Sequence, residues 1–160
     1  MSAEETSALL ERRRASRWTI VHPIFALGQL LVFCVSVALL VAYLRGAVPF
    51  WVVHLSVLTK IGLMVGAVVT GSLWEHDMYG YWWFAPAFMV EDVMTLIVFI
   101  TQLGYLLMQA LHPQSMPAVL TMLVLAYTIY LANVAQYIHK TQRVKHDTRA
   151  LAHGDLKLAA

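Results

Sequence analysis

Residues 71–92 read GSLWEHDMYGYWWFAPAFMVED, a polar and aromatic stretch in the middle of a very apolar chain. The stretch holds four carboxylates, one histidine, three tryptophans and two tyrosines. The chain of 160 residues is 60% hydrophobic and only 12% charged, whereas soluble domains carry about 25% charged residues. Too few polar side chains remain to coat a core in water, so we expect lipid to be most of the solvent.

Formal charges are scarce between Trp18 and His139. They are Arg45, Lys60, Glu75, Asp77, Glu91 and Asp92. Four apolar stretches, the second interrupted only by Lys60, are each long enough to cross a bilayer, which takes about 20 residues. They predict spans over about 19–44, 50–73, 87–111 and 118–139. The predicted fold is all-α, a polytopic membrane protein with a four-helix transmembrane bundle over 18–140. An amphipathic cytoplasmic arm over 1–17 precedes it, and a cytoplasmic tail over 141–160 follows.

Polar residues lie on one face of each predicted span. In the first span they recur every seven positions, at His22, Gln29, Ser36 and Tyr43. In the third span they are Glu91, Thr95, Gln102, Tyr105 and Gln109. Seven residues are close to two helical turns, so each set shares a face that we expect to point into the bundle.

Basic residues are concentrated at the two ends of the chain. Four arginines precede the first span and five basic residues follow the last, while the first and third loops hold only Arg45. This asymmetry predicts that both termini and residues 71–92 face the cytoplasm. No basic surface is interleaved with aromatics, so lipid is an expected partner and nucleic acid is not.

Known catalytic motifs are missing from the sequence. It has no phosphate-binding loop, dinucleotide fingerprint or nucleophile elbow, and no metal-ligand motif, so we predict no cofactor and no resident metal. Carboxyl acid–base chemistry remains, with Glu75 and Asp77 ending the second helix and Glu91 and Asp92 opening the third. In apolar surroundings one carboxyl can stay protonated as an acid while another acts as a base.

Three sequence elements resemble the signature of the bacteriochlorophyllide 3-vinyl hydratases. They are GSLWE at 71–75, FAPAF at 84–88 and EDV at 91–93. The likeness extends over most of the chain, from about Arg12 to Lys140, and the joint spacing of the elements is specific. Members are membrane proteins of phototrophic bacteria, so the resemblance implies an inner (cytoplasmic) or intracytoplasmic membrane of such a bacterium.

The resemblance implies a hydro-lyase that adds water across the 3-vinyl group of a chlorophyllide-type magnesium chlorin in bacteriochlorophyll biosynthesis. The substrate would be chlorophyllide a or a vinyl bacteriochlorophyllide. The resemblance brings no residue roles, so the following roles come from chemistry. Glu91, one turn inside the third helix, is the expected acid. Glu75 or Asp92 is the expected base toward water, and Asp77 is the fourth candidate.

Further residues are expected to contact the pigment. Its flat ring would rest on Trp74, Tyr79, Phe84 and Phe88. Asn133 and Gln136 would position the water. Lys60 would neutralise a buried carboxylate or hold the pigment propionate. His76 either ligates the pigment magnesium or faces water.

Two other functions are compatible with parts of the sequence. A non-catalytic pigment-binding or assembly protein would need the aromatic walls but not the carboxylates. A proton-coupled transporter using Lys60 and Glu91 is disfavoured by four spans without an internal repeat. Gly62 and Gly66 suit a homo-oligomer contact as well as packing within one bundle, and pigment-biosynthesis enzymes are further candidate partners.

Overall fold

The computed structural model describes residues 11–13, 15–86 and 88–152 of the chain. Within these residues we label four helices: α1 Trp18–Leu44, α2 Phe50–Tyr79, α3 Met89–Leu111 and α4 Met116–Ala152. No strand occurs in this described part of the chain, so the predicted all-α class is confirmed. Residues 1–10 of the predicted arm and 153–160 of the predicted tail lie outside it.

Each of the four helices is long and apolar enough to cross a membrane, with the span in α4 ending at Lys140. Large apolar side chains point outward; Ile20 is 72% exposed and Leu107 60% exposed. Surfaces of this kind suit lipid and would be unfavourable in water. The predicted multi-pass architecture is therefore confirmed in length and composition.

Residues 1–89 and 90–160 form two compact units. In the first unit α1 packs against α2 through the predicted polar face. The Ser36 hydroxyl donates to Ser56 Oγ at 2.6 Å, because the Ser56 hydroxyl itself donates to the Val53 carbonyl at 2.7 Å. His22 Nδ1 donates to the Ala67 carbonyl at 3.1 Å. The seven-residue polar pattern of α1 is thus used for helix contact.

A close approach of α1 and α2 occurs at Gly66. A Cβ atom placed there would lie 2.3 Å from Cε1 of Phe25, whereas a Cβ at Gly62 would meet nothing within 4 Å. The ring of Phe25 therefore occupies a notch that only glycine provides. Of the two small residues noted in the sequence, Gly66 serves packing inside this hairpin.

Helix α2 ends at Tyr79, six residues later than the predicted end at residue 73. Residues 74–79 contain no proline or glycine, so nothing in the backbone stops the helix. Gly80 stops it by adopting the left-handed conformation, φ 77°, and its N–H donates to the His76 carbonyl at 3.0 Å. Glu75, His76 and Asp77 consequently lie on the last turns of the helix.

In the second unit α3 has Glu91 and Asp92 in its first turn, where a negative charge interacts favourably with the helix dipole. A Cβ at Gly104 would lie 2.8 Å from Met122 Cε, so α3 and α4 touch there. The buried side chains of this unit include Val98, Gln102, Tyr105, Val119, Leu123, Ala126, Tyr127 and Tyr130. They follow one helical face of each helix.

We predict that Gly66→Ala destabilises the protein by about 1–3 kcal/mol, because the added methyl collides with the Phe25 ring. Gly62→Ala is the matched control and should be neutral or slightly stabilising, since its Cβ enters open space. Unfolding in mixed detergent micelles measures both. The double variant Gly66→Ala, Phe25→Leu should recover part of the lost stability. Equal losses of stability in Gly66→Ala and Gly62→Ala would show that the contact between Gly66 and Phe25 does not require a glycine.

Candidate functional site

The connector between α2 and α3 folds back onto the last turns of α2. The Ser72 hydroxyl donates to the Trp82 carbonyl, and the His76 imidazole stacks on the Trp82 indole with ring centroids 4.1 Å apart. The Ala85 N–H donates to Glu75 Oε2 at 3.3 Å. These three contacts attach the connector to the helix face that carries the acidic residues of the first unit.

Glu75 is the most enclosed of the four predicted catalytic carboxyls. It is 6% exposed, and Ala85, whose N–H it accepts, is 0% exposed. Glu91 and Asp92 are half-buried, and Asp77 is exposed. Glu75 is thus the predicted site carboxyl that is most shielded from solvent.

Phe84 has a strained backbone. Its φ is 59°, in the left-handed region that a bulky side chain rarely occupies, and it is the only non-glycine with positive φ in the described part of the chain. Strain of this kind costs about 1–3 kcal/mol and is typical of functional sites. Here it directly precedes the peptide whose N–H points at Glu75.

Three of the predicted wall residues pack together beside this carboxyl. The Phe88 ring lies 5.4 Å from Trp74 and 5.9 Å from Tyr79, and Trp74 lies 6.2 Å from Tyr79. The first and last pairs are edge-on, a favourable geometry for aromatic rings. The fourth wall residue, Phe84, is edge-on to Trp83 at 5.9 Å.

The start of α1 also contacts this end of α2. The Trp74 indole N–H donates to Thr19 Oγ1 at 3.1 Å, and the Ser16 hydroxyl donates to Asp77 Oδ2 at 2.8 Å. No local sequence pattern predicts either bond, since the partners lie more than 50 residues apart. Asp77 is therefore held by the residues that precede α1.

In the second unit, Glu91 forms an ion pair with Lys140 at the end of the α4 span. The side chain of Glu91 is 19% exposed and that of Lys140 is 43% exposed. The structure thus gives this predicted site residue a cationic partner within its own unit.

Asn133 and Gln136 lie near this ion pair along α4. Both are half-buried. They precede Lys140 by seven and four residues, so the three side chains share one face of the helix. This face of α4 thus carries two amide groups, about 6 Å and 10 Å along the helix axis from Lys140, that can donate to or accept from a water molecule. The spacing of four and seven residues on one helix face is the sequence pattern that could have indicated Lys140 as a further residue of the candidate site.

Lys60 is completely buried within the α2 span, with its ammonium 5.6 Å from the centre of the Phe33 ring. That distance is within the range of a cation–π contact. Lys60 precedes Glu75 by fifteen residues, about 22 Å along the helix axis. The ammonium of Lys60 therefore cannot reach Glu75, so Lys60 does not neutralise this buried carboxylate.

No cluster of three or more histidine, cysteine, aspartate or glutamate side chains suited to a metal ion occurs in the described ranges. His76 is exposed and lies against Trp82, outside the hydrogen-bonded interior that holds His22. An exposed imidazole keeps a ring nitrogen available to a metal that arrives as part of a ligand.

Comparison with known proteins identifies the family. Residues 5–143 match the family model described as 2-vinyl bacteriochlorophyllide hydratase. The chain belongs to this family. A 2-vinyl bacteriochlorophyllide hydratase of Cereibacter sphaeroides is 34% identical over 139 residues, covering 87% of this chain and 86% of the relative. That of Rhodobacter capsulatus is 33% identical over 135 residues, covering 84% and 78%. No solved structure matches the chain significantly.

The family resemblance expected from GSLWE, FAPAF and EDV is thereby confirmed. In this member of the hydratase family the first two elements contact one another. GSLWE contributes Ser72 and Glu75, which bind the connector at Trp82 and Ala85. Two of the three elements on which the resemblance was based thus help to hold the end of α2 and the connector together.

We predict that Phe84→Gly is more stable than Phe84→Ala by about 1 kcal/mol, because only glycine adopts a positive φ without a Cβ clash. Unfolding of both variants in detergent measures the difference. The same pair of changes at Tyr81, in the same connector but without a positive φ, is the control and should show alanine at least as stable as glycine. Alanine equal to or better than glycine at both positions would rule out backbone strain at Phe84.

Proposed function

We propose that this chain is a hydro-lyase that adds water across the 3-vinyl group of a chlorophyllide-type pigment, giving a 3-(1-hydroxyethyl) group. The observation that carries the proposal is the family match over residues 5–143. Hydration transfers no electrons to an acceptor, so carboxyl side chains can supply the acid and base that it needs. The step would serve bacteriochlorophyll synthesis, as the names of the relatives imply.

The reaction needs a proton donor and a proton acceptor. A carboxylic acid gives its proton to the terminal vinyl carbon, and the carbon–carbon double bond supplies the electrons for the new C–H bond. The positive charge is left on the inner carbon, next to the macrocycle, which delocalises it. Water attacks the inner carbon, and a base removes the proton that the attacking oxygen then carries.

Glu91 is proposed as the base that activates water. Its ion pair with Lys140 supports this role, because the contact fixes the position of the carboxylate. Asn133 and Gln136, on the same face of α4 as Lys140, would hold the water by hydrogen bonds. Asp92 is half-buried beside Glu91 in sequence and is the alternative base.

Glu75 is proposed as the acid. It is buried, and the Ala85 N–H donates to one of its carboxyl oxygens, which fixes the position of the carboxyl group. The strained peptide after Phe84 aims that N–H. Asp77 ranks last of the four carboxyls because it is exposed and bonded to Ser16.

The first unit also offers groups for the pigment itself. The cluster of Trp74, Tyr79 and Phe88 provides an aromatic wall for a flat macrocycle, with Phe84 in the adjoining connector. His76 is proposed as the axial ligand of the pigment magnesium, which belongs to the substrate. Lys60 is a further candidate for substrate binding, as a buried cation that could receive a pigment carboxylate.

The orientation in the membrane is proposed from charge. Basic residues at both ends of the chain favour a cytoplasmic side for both termini, in the inner or intracytoplasmic membrane. Four spans then place the connector at residues 80–88 on the same side. Lipid is the expected surrounding partner. A homo-oligomer or association with pigment-biosynthesis enzymes is compatible with the exposed apolar surfaces.

We predict that purified protein given a vinyl chlorophyllide shifts the pigment absorbance to shorter wavelength as the vinyl group leaves conjugation. Glu75→Gln and Glu91→Gln should each lower kcat by about 10²–10⁴-fold, the usual contribution of a general acid or base. Pigment binding, measured by fluorescence titration, should be retained in both variants.

Glu11→Gln is the matched control, an exposed carboxylate outside the helical spans that should keep full turnover. Bound pigment without any absorbance shift in the unchanged protein would refute the hydratase activity. Full turnover in Glu91→Gln would remove this residue from the mechanism, and full turnover in Glu75→Gln would do the same for the proposed acid.

We predict that Lys140→Met lowers kcat roughly tenfold with little change in KM, because Glu91 loses the ammonium that positions it. Its stability should change by less than about 1 kcal/mol, since a partly exposed ion pair contributes little. Lys140→Arg keeps the charge and should restore most of the rate. A large loss of stability, or no rescue by arginine, would indicate a packing role instead.

A further inference from the structure

Gln102 lies in the middle of α3 and is completely buried. Neither its Nε2 nor its Oε1 has a hydrogen-bond partner among the residues that the structure describes. Almost all buried polar atoms in proteins are paired, and a helix surrounded by lipid has no outside water to replace a missing partner. A buried carboxamide in the middle of a span, with no hydrogen-bond partner for its nitrogen or its oxygen among the described residues, therefore indicates that a ligand binds there.

Gln102 shares a helix face with the proposed base. It follows Glu91 by eleven residues, which is three helical turns plus about 20° of rotation and about 16 Å along the axis. Thr95 and Val98 lie between them on that face, and Val98 is buried and apolar. A ligand lying along this face would have one end at Glu91, an apolar middle and a polar end at Gln102.

The chemistry of a carboxamide selects its partner. Nε2 donates and Oε1 accepts, so a group with one acceptor and one donor on the same edge satisfies both atoms at once. A neutral carboxylic acid is such a group. An ionised carboxylate is not, because it has no proton for Oε1, and an ester lacks that proton too. Burial in an apolar span favours the neutral form of the acid.

We propose that Gln102 is the binding site for the propionic acid side chain of the pigment, which it recognises in the protonated form through two opposed hydrogen bonds. The inference rests on the proposed function, which makes the substrate a chlorophyllide, a pigment that retains its free acid. Gln102 then determines specificity, because it accepts the free acid and rejects the esterified pigment. Lys60 offers the same carboxyl a different partner, an ammonium for the ionised form.

The test compares binding of chlorophyllide a with binding of its propionate methyl ester, by fluorescence titration of the full chain in nanodiscs. The unchanged protein should bind the acid about tenfold more tightly, the size expected for a net buried hydrogen bond. Gln102→Leu and the closer isostere Gln102→Met should bind acid and ester equally. Retained binding of the ester in these variants reports that they are folded.

Two controls locate the effect. Gln109→Leu changes another glutamine of the same face, whose Oε1 also has no partner within the described ranges, and it should keep the tenfold preference. Lys60→Met tests the other candidate partner of the carboxyl: if Gln102 binds the acid, this variant should still distinguish acid from ester, whatever its overall affinity for the pigment. Loss of the preference in Lys60→Met but not in Gln102→Leu would mean that the carboxyl binds as an ion at Lys60, which overturns the proposal. Loss in Gln109→Leu would overturn the assignment to Gln102.

Equal binding of acid and ester by the unchanged protein would also overturn the proposal. The amide of Gln102 would then be assigned to a bound water molecule, because the binding of water does not depend on whether the propionate is esterified. Vinyl hydration is followed in parallel by absorbance. Hydration without any acid preference would defeat this inference alone, whereas absence of hydration with bound pigment would defeat the proposed function.

Discussion

A backbone N–H or C=O in the hydrocarbon core of a bilayer has no water to bond, so it must find its partner within the chain. The helices α1 to α4 meet this constraint along their spans, and irregular backbone is confined to the segments between them. Where the ladder of α2 ends, the backbone must use other partners. Gly80 bonds the His76 carbonyl and Ala85 bonds the Glu75 carboxyl. The end of α2 thus determines a hydrogen-bond partner of the buried Glu75 carboxyl.

The same constraint separates the polar groups into two kinds. Some polar side chains bond to the neighbouring helix, as Ser36 does to Ser56, and these hold the hairpin together. Others keep charge or hydrogen-bonding capacity that packing does not use up. The Glu91–Lys140 pair is charged at the end of the spans, and Gln102 carries unused amide atoms at their centre. In a chain with so few polar side chains, the second kind is where ligand chemistry can occur.

Sequence patterns predicted the helices and their inward faces because a 3.6-residue period and apolar length are local properties. The ends of the helices were less predictable. Helix α2 runs on to Tyr79 because charged and aromatic residues can remain helical until a glycine stops them. The partners within the candidate site were not predictable. Lys140 meets Glu91 across 49 residues of chain, and the positive φ of Phe84 has no local sequence signal.

The ring of Phe25 in the notch at Gly66 also limits motion. Sliding α1 by one helical turn, about 5.4 Å, toward the C-terminal end of α2 would drive that ring into Thr70, which lies four residues after Gly66. In the opposite direction Gly62 lies four residues before Gly66, and a Cβ there would meet nothing within 4 Å. The two glycines therefore oppose a one-turn shift of α1 in one direction and leave room for it in the other.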